Sequence, residues 1–392
     1  MRRITTEERR ARLGVQHALA AGHGAADVVD AARAVVGLHG TDPASTFLAA
    51  LARTPGATTE ELERALYDDR SLVRVLAMRR TLFAVPRDVV GTVLAAAGAD
   101  VAREQRRVLE KLLSDSGVTD EPGPWIDRAE DVALAAMDGA GEILSTELAK
   151  ADPLLTTRVE IAPGTKYATT VSVASRLLTM MSAQGKVVRT RPRGGWTSTQ
   201  FRWATLDAWV GDVPLPDSAT ASSDLARLWL RSYGPATPDD LQWWTGWTKT
   251  RTCAALATLD TTEVGLDGAT GLLLSDDVEP VASPDPWVAL LPALDASAMG
   301  WKHRDFCLGP HRELLYDVNG NAGPTVWVDG RVVGGWAQRD DGEVAVRLLE
   351  DVGADVTSRV EERAAELITM LGDVRLKARA RGWTTVEREI RA

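Results

Sequence analysis

The strand-like stretch Gly185-Lys186-Val187-Val188-Arg189, the turn Pro192-Arg193-Gly194-Gly195 and the return Trp196-Thr197-Ser198-Thr199-Gln200-Phe201-Arg202-Trp203 decide the fold. Residues 169–184 ahead of them read as a helix, and 145–151 as another before it. Glycine and proline separate the two β-prone segments, as a hairpin requires. Helix, strand, Gly/Pro turn and strand in this order are the pattern of a recognition helix and its wing.

Toward the N-terminus the pattern predicts helices over 1–20, over 28–38 with Asp27 as cap, and over 44–53 with Asp42 as cap and Pro43 in its first turn. Thr58-Thr59-Glu60-Glu61 has capping-box spacing and opens a helix to Tyr67. A helix over 71–79 is then expected to feed the strand Thr81-Leu82-Phe83-Ala84-Val85, which Pro86 stops. Beyond the central hairpin, 225–233, 241–245 and 249–259 read as helices of a third unit, the second of them capped by Thr237-Pro238-Asp239-Asp240. From 262 the pattern changes to short apolar strands separated by Val318-Asn319-Gly320-Asn321, Asp329-Gly330 and Asp341-Gly342. These are hairpin-type turns, so 262–350 is expected to form a small antiparallel sheet or barrel, followed by a helix over 358–370 and a basic tail over 375–381. The expected class is α+β, divided into 1–125 (N-terminal helices and a first winged-helix unit), 126–215 (a second unit with the basic wing), 216–261 (a third) and 262–392 (barrel and last helix).

At 392 residues the chain exceeds one ordinary core, and 45% hydrophobic with 26% charged residues describes a globular protein. The N-terminus lacks the apolar core of a secretion signal, so a cytoplasmic protein is expected. Cys253 and Cys307 lie far apart; reduced, buried thiols are expected, and His303 and His311 beside Cys307 supply too few ligands for zinc. The net charge of −10 hides its distribution. Residues 161–206 contain no acid and seven cations: Lys166, Arg176, Lys186, Arg189, Arg191, Arg193 and Arg202. A second acid-free stretch, 70–87, carries Arg70, Arg74, Arg79, Arg80 and Arg87. Such segregation suits a local phosphate-binding face on a protein whose remaining surface repels nucleic acid. The structural alternative is a basic face that holds an acidic neighbouring unit.

Trp196, Phe201 and Trp203 could stack on an extruded base, but aromatics at alternate strand positions more often face the interior. Trp243, Trp244 and Trp247 are likewise expected to fill a core. In His39-Gly40-Thr41, alternate residues of an extended chain point the same way. A neutral imidazole there could take a proton from a water that the hydroxyl orients, which would deliver a nucleophile to a sugar carbon. The plainer account makes His39 a satisfied interhelix histidine and Asp42 a cap. No nucleophile elbow, phosphate-cradling glycine loop or run of metal-binding acids is present, which sets aside the common hydrolase, kinase and dehydrogenase templates.

Six stretches taken together carry a resemblance: Leu38-His39-Gly40-Thr41-Asp42-Pro43-Ala44, Met78-Arg79-Arg80-Thr81-Leu82, 194–203, Tyr233-Gly234-Pro235-Ala236-Thr237, Leu291-Pro292-Ala293-Leu294-Asp295, and 319–331 with its Asn-Gly-Asn-Ala-Gly-Pro-Thr block. They resemble the AlkZ-like winged-helix DNA glycosylases of actinobacteria and other bacteria, from about Arg12 to Asp351. That resemblance implies three tandem winged-helix units around a small antiparallel β-barrel, with DNA in a concave channel. It also implies hydrolysis of the N-glycosidic bond of alkylated purines, in repair or in self-resistance to alkylating metabolites. The family motif, Gln-x-Gln or Gln-x-Asp before an Asp-Pro step, falls here on His39 and Thr41, so neither of its polar residues is retained. The site expected from the likeness is His39, Thr41 and Asp42, with Arg79, Arg80, Lys186, Arg189, Arg191, Arg193 and Arg202 on phosphates of double-stranded DNA, no metal or cofactor, and a monomeric protein. The rival from another class is a non-catalytic winged-helix regulator or sequestering protein.

Overall fold

A computed structural model describes residues 1–161, 165, 168–376 and 382–392; Lys166 and residues 377–381 of the expected basic tail lie outside it. The chain forms two compact units, Met1–Glu63 with Ser223–Ala392, and Arg64–Ser222.

In the 64–222 unit the expected order of helix, strand, turn and strand is present. The helix Val173–Ala183 leads into the strand Val187–Pro192, which pairs antiparallel with Phe201–Thr205. The helix starts later than expected because Thr169–Ser172 instead pairs with Arg158–Ile161. The return strand also begins only at Phe201. Val173, Leu177, Met180 and Met181 of the helix pack on Leu109, Leu113, Trp125 and Ile126, and Trp203 and Val187 close the same core. Two long helices, Ala99–Asp115 and Pro122–Ala140, supply that opposite wall.

The expected helix over 71–79 is not formed. Leu72–Leu76 is a strand, paired in register with Leu82–Pro86 (Val73 opposite Val85, Val75 opposite Phe83). Every residue of both strands is buried, so no alternation marks them, and a short apolar run of this kind reads equally as helix or strand. The connecting turn puts Arg79 and Arg80 at φ 50° and 59°, a region that side chains seldom adopt.

In the other unit, the helices Val28–Ala34, Pro43–Leu51 and Thr59–Glu63 start at the expected caps, the last ending before Tyr67, while the helix expected over 1–20 is confined to Thr6–Gln16 and is capped by Thr5. Val28–Ala34 stops four residues short of its expected end, because Val36 turns to φ 63° and Leu38–His39 becomes extended. The helices Pro238–Thr245 and Lys249–Ala257 run into an antiparallel hairpin, Thr261–Leu266 with Ala269–Leu274, joined in parallel by Arg2–Arg3. Ile4, Val264, Leu266 and Leu273 form its small core.

The remaining strands form an open four-stranded antiparallel sheet in the order Val288–Leu291, Thr325–Val328, Arg331–Gln338, Val344–Leu348. The expected barrel does not close among the described residues, because two edges stay unpaired with each other. Asp329 and Gly330, at φ 48° and 80°, make the tight hairpin predicted for them. The helix Ala354–Leu371 covers the expected final one, and a further helix, Thr385–Arg391, opens on the capping box Thr384 to Glu387. Deep in this unit Arg53 forms a bidentate pair with Asp295, both bonds 2.8 Å, and gives 2.9 Å to Ser297, which also meets His17 Nδ1 at 2.8 Å.

Candidate active-site tract and nucleic-acid interface

The tract 39–43 is built by a strand end, a bend and a helix start. Asp42 is the N-cap of Pro43–Leu51: its Oδ2 accepts from the Ser45 amide at 2.9 Å and from the Ser45 hydroxyl at 2.6 Å. Proline at the first helical position has no amide to satisfy, so cap and proline together fix where the helix begins. Asp42 also borders a small cavity of about 40 Å³ that Trp336, Trp383, Glu387 and Arg391 help to line.

His39 is buried and held from both sides. Its carbonyl accepts from Thr46 Oγ1 at 3.1 Å, and its Nδ1 accepts the Thr41 amide at 3.4 Å. The tract therefore curls back instead of running extended, and the expected common direction of the His39 and Thr41 side chains is lost: His39 is buried and Thr41 is exposed. A ring nitrogen that accepts an amide proton carries none in the neutral imidazole, which leaves the proton on Nε2. In that state His39 is a donor through Nε2, and it becomes a base through Nδ1 only when the long 3.4 Å bond opens.

The basic residues of the central hairpin divide into groups. Lys186 bonds Glu130, which also accepts from Gln184 at 3.1 Å. Arg191 pairs with Asp68 at 2.9 Å and lies 4.6 Å from the Tyr67 ring centre. Arg189 is turned inward, 5.4 Å from the Phe201 and 5.1 Å from the Trp203 ring centre, and burial together with the neighbouring Arg74 charge pushes it down to about 10. Arg193 is exposed, Arg202 is partly exposed, and Arg80 is exposed on the strained turn beside the half-buried Arg79. Among the described residues Arg80, Arg193 and Arg202 form no ion pair.

The second acid-free stretch is mostly structural. Arg70 donates to the Trp209 carbonyl at 2.7 Å and stacks on its ring, Arg87 donates to the Val210 carbonyl, and Arg74 is buried. Phe201 and Trp203 lie in the interior as expected, as do Trp244 and Trp247, whereas Trp196 and Trp243 are only half-buried. Cys307 is buried and desolvation pushes its thiol up to about 12, but Cys253 is exposed, against expectation, on the outer face of its helix. His303 and His311 each face a carboxylate, Asp239 at 3.6 Å and Glu350 at 3.8 Å. Arg74 is not among the residues expected at the site, although an arginine inside the run Leu72-Val73-Arg74-Val75-Leu76 is the signal that marks it.

The DNA glycosylase AlkZ of Streptomyces sahachiroi has a similar fold: TM-score 0.74, covering 96% of this chain and 99% of that one, at 21% identity. An interstrand DNA cross-link repair glycosylase of the same organism is 30% identical over 178 residues, 43% of this chain. The match spans 47%, about half, of that relative's length. A family model, that of the AlkZ-like DNA glycosylases, matches residues 32–370. The chain belongs to the AlkZ-like DNA glycosylase family.

Proposed function

We propose that this protein is a monofunctional DNA glycosylase that hydrolyses the N-glycosidic bond of alkylated purines in double-stranded DNA, as a cytoplasmic monomer and without a cofactor. The family match over 32–370 carries the reading. In it, the three segments that join helices to a β-hairpin act as winged-helix units. Arg80, Arg193 and Arg202, with no carboxylate to give up, take backbone phosphates first; Arg79, Lys186, Arg189 and Arg191 follow, Lys186 and Arg191 by exchanging Glu130 and Asp68 for DNA.

An N7- or N3-alkylated purine leaves as a neutral base without protonation, so the protein need only position water and stabilise an oxocarbenium-like sugar. His39 orients that water through its ring, Thr41 is its hydroxyl partner, and Asp42 holds the tract at the helix start. A few kilocalories per mole of positioning suffice, since each ~1.4 is tenfold in rate. The interstrand cross-link named for the similar enzyme makes a bulky alkylated duplex a second substrate to try.

The change of the family's polar pair to His39 and Thr41 favours one rival, a DNA-binding protein that sequesters or senses adducts without cutting them. Release of base from duplex DNA carrying N7-methylguanine, or a bulky adduct, followed by strand cleavage at abasic sites, separates the two. Excision that His39→Ala removes while DNA binding persists is expected. Binding without release from either substrate by the wild type leaves the rival.

A further inference from the structure

Arg74 stands at the middle of the strand Leu72–Leu76 with 2% of its surface exposed. Among the described residues, none of its three guanidinium nitrogens, Nε, Nη1 or Nη2, has a hydrogen-bond partner, and the buried Nε of Arg189 has none either. The two cations share one aromatic ring: Arg74 lies 5.0 Å and Arg189 5.4 Å from the centre of Phe201. Tyr67 faces Arg74 at 5.2 Å, and Trp203 faces Arg189 at 5.1 Å. Among the described residues no carboxylate pairs with either guanidinium; Asp68, bonded to Arg191, is already engaged.

Such an arrangement is costly as it stands. A guanidinium cannot shed its proton, so burial cannot neutralise it as it would a lysine. Ring faces offer a diffuse attraction but accept no strong hydrogen bonds, and a buried charge without acceptors loses several kilocalories per mole of hydration. Two cations side by side add mutual repulsion, which the lowered Arg189 registers. What the cluster lacks is a compact group with several acceptor oxygens and about two negative charges. A tetrahedral phosphoryl group has both, and the forked donors of arginine match its oxygens two at a time.

We infer that Arg74 and Arg189, walled by Tyr67, Phe201 and Trp203, form an internal oxyanion site that takes a phosphoryl group, either free phosphate or a phosphate of a bound DNA strand. Arg189 is the less buried of the two cations and Arg74 the more enclosed. The DNA arm rests on the duplex binding proposed above, in which Arg189 already takes a phosphate; the free-phosphate arm does not, and a protein that releases no base would still hold the anion.

Thermal unfolding of the full chain, titrated with inorganic phosphate against chloride at equal ionic strength, tests this alongside duplex binding over a range of salt. Arg74→Met removes the charge at nearly constant volume, and Arg189→Met, at the less buried position, guards against failure of the first variant to fold. If the source is free phosphate, it raises the wild-type Tm by several degrees and moves neither variant. If the source is DNA, phosphate moves none of the three proteins, while both variants bind duplex about tenfold more weakly, with a salt slope shallower by about one. The proposal is overturned if wild type and variants gain equally from phosphate, or gain nothing, and bind DNA alike.

Discussion

Arg53 and Arg74 are both withdrawn from water, yet their surroundings differ in kind. Arg53 meets Asp295 through two 2.8 Å bonds and Ser297 through a third. Arg74 lies against the Tyr67 and Phe201 rings and has no hydrogen-bond partner among the described residues. A paired buried charge is a structural device that holds an interior in one arrangement. An unpaired one has no comparable structural use, which is why the first explains itself and the second points to something that binds.

The largest test of the contrast removes the partner of the paired cation. Asp295→Ala leaves Arg53 uncompensated and should cost about 3–5 kcal/mol, read from urea unfolding. A loss under about 1 would erase the difference between the two arginines. Acid should act through the same cluster. Burial, with the Arg53 charge added, pushes His17 from 6.5 down to about 3, against the opposing pull of Asp295. The unfolded ring takes up a proton below 6.5 while the folded one stays neutral. Stability from this group is therefore complete above pH 6.5 and falls as the pH drops toward 3. The loss is about 1.4 kcal/mol per pH unit, so about 3 near pH 4.5. His17→Gln should flatten the dependence of the urea midpoint on pH, and an unchanged slope would exclude the ring. In the other region the sign reverses: Arg74→Met in chloride buffer should unfold at higher urea, a gain of about 1 kcal/mol. A clear loss would mean that the cation is structurally needed. Smallest of all, Asp68→Ala breaks only a solvated pair with Arg191 and should change stability by less than about 0.5 kcal/mol.

How much of this was legible depends on whether the signal was local. The cap and proline at Asp42-Pro43 and the Asp329-Gly330 hairpin were readable because backbone chemistry alone selects them. The capping box at Thr384 and Glu387 has the spacing of the one at Thr58 and Glu61 and is as legible. The strand Leu72–Leu76 was mistaken for a helix because burial on both faces erases the period, leaving Val73 and Val75 as its only β-prone marks. The curl that brings the Thr41 amide to His39 depends on Thr46 and the helix beyond, so alternation along an extended chain was the wrong rule. For the cations, composition located the basic stretches but not their neighbours. Whether Arg193 meets solvent and Arg189 meets Phe201 is decided by strand direction and packing, which no charge count contains.

The parallel pairing of Arg2–Arg3 with Val264 and Gly265 has a consequence for synthesis. The strand that the first residues need lies beyond the whole of 64–222, which can collapse on its own contacts as it emerges. At ribosomal speed that delay is roughly ten to thirty seconds. Throughout it Arg2 and Arg3 wait without the strand they pair with, an interval in which a chaperone has the most to protect.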